Sequence, residues 1–391
     1  MRSIVLTILV FSGCLCVGFW IAEHKPLWND EYFTQTASVD GTSFADQFSG
    51  NLPLGEGSHA PLFYALQKLF LQVVRYQTPL SWHGGHWYTD PHSQITLRAV
   101  PVILMSLSVS LVFYYFCLGF SLWVGLLSLF IFLSSHMVWS YWAEARPYAL
   151  WVFLTTVQSV ILLNSIGQKS RTQGGRGMAW LAGTNILLGL TSILTLGEIW
   201  VVSVLWWCVH DRDWKKYIVA TFLPTLIVIF YYIHAPRLSF YFGQSHLDNF
   251  LHDNISSQCF DVLFIFLFFL SLYFWGQKKG KVQDWLGDDI VKPFVYVIFW
   301  GLVLASSIVL YIILGLHAKP NQGFPVTSRY FIYLTPIGVI ATTIVTVSLL
   351  KSLSKHQLLC WGLGGLIGFL LVQHFLKIVP KTIHAIISNS V

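Results

Sequence analysis

Apolar runs of about 17–25 residues recur from one end of this chain to the other, and that recurrence restricts the fold more than any other feature. Each run is long enough to cross a ~30 Å hydrocarbon layer as a helix. Inside lipid every backbone N–H and C=O must find a partner within the protein, which only helices and closed barrels achieve. These runs are continuous and do not alternate with period two, so they imply helices and not a barrel. Of 391 residues, 55% are hydrophobic and 10% charged, and the mean hydropathy is +0.63. A soluble domain does not carry that balance. The expected fold class is therefore all-α: a polytopic helical membrane protein, with residues 1–391 as one integrated domain and no separate soluble domain.

About eleven spans are expected, near 3–22, 95–117, 121–140, 148–166, 178–195, 197–210, 217–234, 258–275, 293–316, 329–350 and 357–376. The pair between 178 and 210 is ambiguous, because Gly197-Glu198 fits either a tight turn or a break in one long helix. An apolar run directly after Met1-Arg2-Ser3 also fits a signal peptide. An uncleaved first helix better explains why an acidic motif follows so closely.

The net charge of +6 sits largely in short loops, as orientation in a bilayer requires, and does not point to nucleic acid. Lys169, Arg171 and Arg176, then Arg212, Lys215 and Lys216, then Lys278, Lys279 and Lys281, then Lys351 and Lys355 all fall on the cytoplasmic side if the N-terminus is inside. Lys377 and Lys381 fall outside, a minor violation. The same arrangement puts residues 23–94, 141–147, 235–257 and 317–328 on the outer side. Of the six cysteines, no pair has zinc-ligand spacing in a polar loop, and none signals a disulfide.

The first outer loop, 23–94, is the longest polar segment. Within it Pro61 stands at a helix start, and Leu62, Leu66, Leu69 and Val73 share one face while Gln67, Lys68, Gln72 and Arg75 gather on another. That pattern predicts an interfacial helix lying on the membrane. Trp82, His83, His86, Trp87, Tyr88 and His92 follow, and the two tryptophans read as interfacial anchors.

Five constellations carry candidate chemistry, and all are expected on the outer side. They are Asp30-Glu31, Ser58-His59-Ala60-Pro61, the stretch Tyr141-Trp142-Ala143-Glu144-Ala145-Arg146-Pro147-Tyr148, Glu198, and Ser328-Arg329-Tyr330. A carboxylate pair just beyond lipid can act as a base, bind a cation, or cap the helix it begins. An arginine at such a place is either a phosphate clamp or a snorkelling interfacial side chain. Glu144 and Arg146 equally suit an ion pair stitching helix ends together.

Taken in order, Asp-Glu after the first helix, His-x-Pro-Leu-x-Tyr at a helix start, Leu97-Arg98-Ala99-Val100-Pro101, Glu-Ala-Arg-Pro-Tyr-Ala-Leu after the third helix and a late Arg-Tyr resemble the GT-C superfamily of membrane glycosyltransferases. The branch most similar is the protein O-mannosyltransferase and lipid A aminoarabinose transferase group. The resemblance covers residues 1–170 well and the remainder mainly by hydropathy. It implies a polyprenyl-phosphate sugar donor and inverting transfer on the non-cytoplasmic face. Asp30 is then the general base. Glu31, His59, Tyr64, Glu144, Arg146, Tyr148, Arg329 and Tyr330 are the substrate-binding candidates. A divalent cation is a further expectation, with Glu56 and His59 as candidate ligands, although two ligands without geometry do not define a site.

Larger members of that group carry soluble outer domains, and none is expected within residues 1–391. That favours a lipid-linked or other envelope acceptor over a folded protein, in the inner membrane of a bacterium. Two other classes compete. A transporter or flippase of lipid-linked sugars places ionisable groups at mid-membrane with internal repeats. A non-catalytic assembly subunit has lost the first-loop Asp, which this chain keeps.

Overall fold

Helices dominate the protein because its apolar runs leave the backbone no other partner in lipid. The structure, a computed structural model, describes residues 2–50, 60–76, 81–83, 86–88, 90–165, 171–209, 214–234, 240–241, 247–255, 288–316, 324–325, 328–352 and 357–388. Long helices are α1 (Arg2–His24), α5 (Pro91–Gly119), α8 (Tyr148–Ser165), α9 (Arg171–Gly189), α11 (Trp214–His234), α13 (Asp288–Leu316), α14 (Leu334–Ser352) and α15 (Gln357–Ser388). Shorter ones are α2 (Asn29–Phe33), α3 (Phe44–Ser49), α4 (Leu62–Val73), α6 (Leu122–Leu133), α7 (His136–Tyr141), α10 (Leu196–Val209) and α12 (Leu247–Asn254). The strands are two-stranded fragments: β1 (Ser81–His83) antiparallel to β2 (His86–Tyr88), and β3 (Phe240–Tyr241) parallel to β4 (Phe324–Pro325). The fold class is all-α.

Among the described residues seven helices are long and apolar enough to cross a membrane: α1, α5, α8, and the apolar stretches of α11, α13, α14 and α15. Leu62–Val73, Leu122–Leu133 and Ile193–Cys208 are shorter apolar helices. The run expected at 121–140 divides into α6 and α7, because Ser134 ends one helix and the Ser135 hydroxyl caps the next by accepting from the Val138 N–H. The ambiguous stretch 178–210 is two helices, α9 and α10, joined through a 3-10 turn at Ile193–Thr195. The span expected at 258–275 lies outside the described residues.

Burial divides the bundle into a centre and a rim. The central helices α8 and α14 each bury 72% of their apolar window, against 17% for α1 and 22% for α15. The centre is therefore protein-facing on nearly all sides, and the rim offers its apolar surface to lipid. Helix α1 packs along α5, which packs on α8, and α8 packs on α14. Close approach of α1 requires Gly18. A Cβ there would lie 2.7 Å from both Trp142 Nε1 and Val102 Cγ1.

Helix α4 is attached to α5 by a repair of the backbone. Pro101 sits inside α5 and has no N–H, so the carbonyl four residues earlier loses its helical partner. That carbonyl is Leu97 O, and the Gln67 side chain of α4 donates to it at 2.7 Å. Lys68 in turn donates to the carbonyls of Val39 and Thr42 in the first loop. The buried face of α4 is Phe63, Tyr64, Gln67 and Leu71, so one polar residue turns into the protein among apolar ones, while Leu69 and Val73 turn out, 53% and 73% exposed.

Candidate functional site

The site begins where α1 ends. Lys25 N–H closes on Ile21 O, and Trp28, in extended conformation, opens the one-and-a-half turns of α2. Three residues on, the Glu31 carboxylate turns back to accept from the Trp28 N–H at 3.1 Å, which is the glutamate half of a capping box, while the Glu31 N–H bonds the Trp28 carbonyl. This points Glu31 inward, while Asp30 stays at the margin of the bundle.

Glu31 is fully buried. Arg98 of α5 meets it with a fork, Nε to Oε1 at 2.8 Å and Nη2 to Oε2 at 2.6 Å, and Ala145 N–H donates to Oε1 at 2.8 Å. The rest of the guanidinium donates to the carbonyls of Ala22, Lys25 and Pro26 at the end of α1. Burial acts to raise the Glu31 pKa, but the Arg98 charge and hydrogen bonds, the Lys25 charge and the Ala145 N–H outweigh it, so the group lies below the ordinary carboxylate value. Removing one member of such a pair leaves a buried charge without compensation.

Asp30 is different. Arg146 Nη1 and Arg329 Nη2 both donate to its Oδ2, at 2.6 and 2.8 Å. The Asp30 side chain is 32% exposed, against 5% for Arg146 and 15% for Arg329. Oδ1 accepts no hydrogen bond from the described residues. Arg146 stands in the bend before α8 and stacks over the Tyr148 ring at 5.1 Å. Arg329 enters from a 3-10 turn at Ser328–Phe331, its guanidinium 5.6 Å from the Tyr330 ring. Each arginine is thus held by an aromatic face as well as by Asp30.

Geometry couples the two neighbouring acids. Glu31 binds the Ala145 N–H, and the residue on the far side of each, Asp30 and Arg146, form the next contact outward. One hydrogen bond in the interior therefore sets the spacing of an ion pair at the mouth. Glu144 is also buried and pairs with Lys25 at 3.4 Å. Lys25 donates to Ser140 O at 2.6 Å and lies over the rings of Trp28 and Tyr141.

The structure brings Asp30, Glu31, Glu144, Arg146, Tyr148, Arg329 and Tyr330 to one end of the bundle. Tyr64 is fully buried in α4, edge-on to Phe63. His59 and Glu56 lie outside the described residues. Among those residues no group of three or more His, Cys, Asp or Glu is placed to hold a metal ion. Glu198 is buried in α10 and accepts from Trp151 Nε1 at 3.3 Å. Trp151 stacks on Tyr333 at 4.6 Å, and the Tyr333 hydroxyl meets Ser307 at 2.6 Å. This second polar cluster belongs to the bundle interior.

Sequence reasoning missed the roles of Arg98 and Lys25. Arg98 had a readable signal, since an arginine in an apolar helix must find a partner. Lys25 had none, because a lysine at a helix end is commonly a solvated one.

No protein-family model matches the chain, and no curated protein matches its sequence. Solved structures of the oligosaccharyltransferase of Archaeoglobus fulgidus are similar to it. For the complex with zinc and sulfate the identity is 10% and the TM-score 0.41, covering 94% of this chain and 52% of that one. For AglB of that organism with an inhibitory peptide and a dolichol-phosphate the values are 10%, 0.39, 97% and 56%. The chain thus spans about half the length of the structures it matches.

Proposed function

We propose that this chain is a membrane glycosyltransferase of GT-C architecture. It moves a sugar from a polyprenyl-phosphate donor to a lipid-linked or envelope acceptor, on the non-cytoplasmic face of a bacterial inner membrane. One observation carries the reading. Asp30, Arg146 and Arg329, drawn from three parts of the sequence that resemble one enzyme group, converge on a single carboxylate oxygen at one end of the bundle.

The chemistry suits that grouping. A hydroxyl is a weak nucleophile and needs a positioned carboxylate to accept its proton. The acceptor oxygen attacks the anomeric carbon, its proton passes to Asp30, and the bond from that carbon to the phosphate oxygen breaks. The electron pair leaves with the polyprenyl phosphate, and the configuration inverts. Arg146 and Arg329 supply planar donors for phosphate oxygens. Glu31 serves by position: its carboxylate is fully engaged with Arg98, Ala145 and Trp28. His59, with Glu56, remains the candidate for a divalent cation, Glu144, Tyr148 and Tyr330 support the mouth, and Tyr64, buried in α4, remains a substrate-binding candidate. Charges gathered at helix ends favour this reading over a transport pathway, which places them at mid-membrane.

The test is sugar transfer by purified protein from labelled polyprenyl-phosphate sugars to an envelope-lipid pool. Asp30→Asn is expected to lose at least ~10²-fold in rate, the scale of a missing general base. Equal rates for wild type and variant would remove Asp30 from that role. Inactivity of wild type with every donor would remove the enzyme class.

A further inference from the structure

Among the described residues Arg75 is the one non-glycine with a positive φ, 52°. It follows the last turn of α4. There the Tyr76 N–H returns to Leu71 O at 2.9 Å and the Arg75 N–H to Gln72 O at 3.1 Å, the paired bonds of a helix end that turns through a left-handed residue. Glycine is the usual residue at such a place, because a Cβ is disfavoured there. An exposed arginine therefore stands where backbone geometry alone selects glycine. Among the described residues its guanidinium has no hydrogen-bond or ion-pair partner. Asp90, the carboxylate at the head of α5, instead caps that helix by accepting from the Ser93 N–H at 2.9 Å.

The same helix borders a groove. Between Leu66, Leu69 and Val73 of α4 and Val100, Ile103 and Leu104 of α5 lies a cavity of about 330 Å³ whose lining residues are all apolar. Two contacts fix how it stands. The Tyr76 hydroxyl donates to Ser93 O at 3.1 Å in the first turn of α5, and Gln67 donates to Leu97 O one turn further on. Arg75 is thus tethered near the head of α5, at the end of the bundle that carries Asp30. The groove descends from there to Leu104, about 16 Å along the helix from Ser93. Ser93, Leu97, Val100 and Leu104 recur at the spacing of one helix face. Gln94 and Arg98, which hold the end of α1, lie on the next.

The geometry points to a binding site for one anionic glycerophospholipid of the surrounding bilayer, its phosphate at Arg75 and one acyl chain in the groove between α4 and α5. Apolar walls accept a chain whatever its headgroup, and the arginine adds the selection for negative charge. Its planar guanidinium suits phosphate oxygens. The lipid is assigned to the bilayer and not to the sugar donor, because the groove lies on a different face of α5 from Arg98 and its partner Glu31. The site rests on the membrane fold and not on the chemistry of Asp30. Lys68 of α4 holds the carbonyls of Val39 and Thr42, so a lipid seated against α4 braces the loop that follows Asp30.

The experiment is native mass spectrometry and thermal unfolding of the delipidated full-length protein in detergent, titrated with phosphatidylglycerol and with phosphatidylcholine of the same acyl chains. One phosphatidylglycerol is expected to bind per chain, roughly fivefold to tenfold more tightly than phosphatidylcholine. It is expected to raise the unfolding temperature as it saturates. Arg75→Gly is expected to bind the two lipids alike. Its lipid-free unfolding temperature is expected at or above that of wild type, because glycine relieves the left-handed backbone. Leu69→Trp, which fills the groove from an exposed position, is expected to weaken both lipids. Equal binding of the two lipids to wild type, or an undiminished preference in Arg75→Gly, overturns the headgroup site. Unchanged binding by Leu69→Trp overturns the groove. Displacement of phosphatidylglycerol by an equal concentration of polyprenyl monophosphate assigns the site to the sugar donor and overturns the bilayer lipid. A dimer that Leu69→Trp abolishes assigns the groove to a second copy and overturns it likewise.

Discussion

Asp30 and Glu31 are adjacent in the chain and carry the same functional group, yet they belong to two different regions of the molecule. Glu31 faces inward to a guanidinium that also holds the carbonyls at the end of α1. Asp30 faces the mouth and shares one oxygen between two arginines. The difference teaches that an acidic pair at a membrane edge need not act as a pair. Burial and a one-to-one partner make one member a fastener. Partial exposure and two arginines sharing one oxygen set the other apart.

The sharpest way to break that contrast is to remove the fastener. Glu31→Ala leaves Arg98 charged and buried with its carboxylate partner gone, and is expected to cost about 3–5 kcal/mol. Thermal unfolding in detergent reads this directly. Asp30→Asn in the same assay is expected to stay within about 1 kcal/mol of wild type, as for a partly exposed ion pair. Equal losses from both would erase the distinction. A finer cut is Arg329→Lys, which keeps the charge and removes the planar fork. It is expected to lower sugar transfer by roughly tenfold while leaving stability nearly unchanged. The smallest effect is a pH slope. Glu31 lies below its ordinary value of 4.5 when folded. Its stabilisation is therefore complete above that value and fades as pH falls through the lower folded one. The gap in unfolding temperature between wild type and Glu31→Gln is expected to shrink below pH 4.5 and to hold steady above it.

Much of this was readable in advance, and the reasons are physical. Hydropathy marks a helix crossing lipid because the lipid demands it, so α1, α5, α8 and α14 stand close to where their apolar runs lie. Asp30, Arg146 and Arg329 could be named because charged residues at the ends of apolar runs are few. Their meeting could not be read, since Arg329 is 299 positions from Asp30 and nothing local records the contact. The facing of α4 was also hidden. Amphipathic spacing did not show that Gln67 would be covered along with Phe63, Tyr64 and Leu71, because its partner is a carbonyl at Leu97 orphaned by Pro101. The break at Ser134-Ser135 was lost for a similar reason, because two serines in a long apolar run barely lower its hydropathy.

The distances in sequence between these partners have a consequence for synthesis. Translation delivers Asp30 and Glu31 early, directly behind the first helix. Glu31 waits 67 residues for Arg98, and Asp30 waits 116 for Arg146. The last guanidinium follows only when most of the chain has been made. An unfinished protein in the membrane therefore carries Asp30 before either guanidinium that binds it has been made. The contact that joins the first loop to the late helices is therefore among the last to close, so the order of translation leaves the mouth of the bundle unassembled until Arg329 is made.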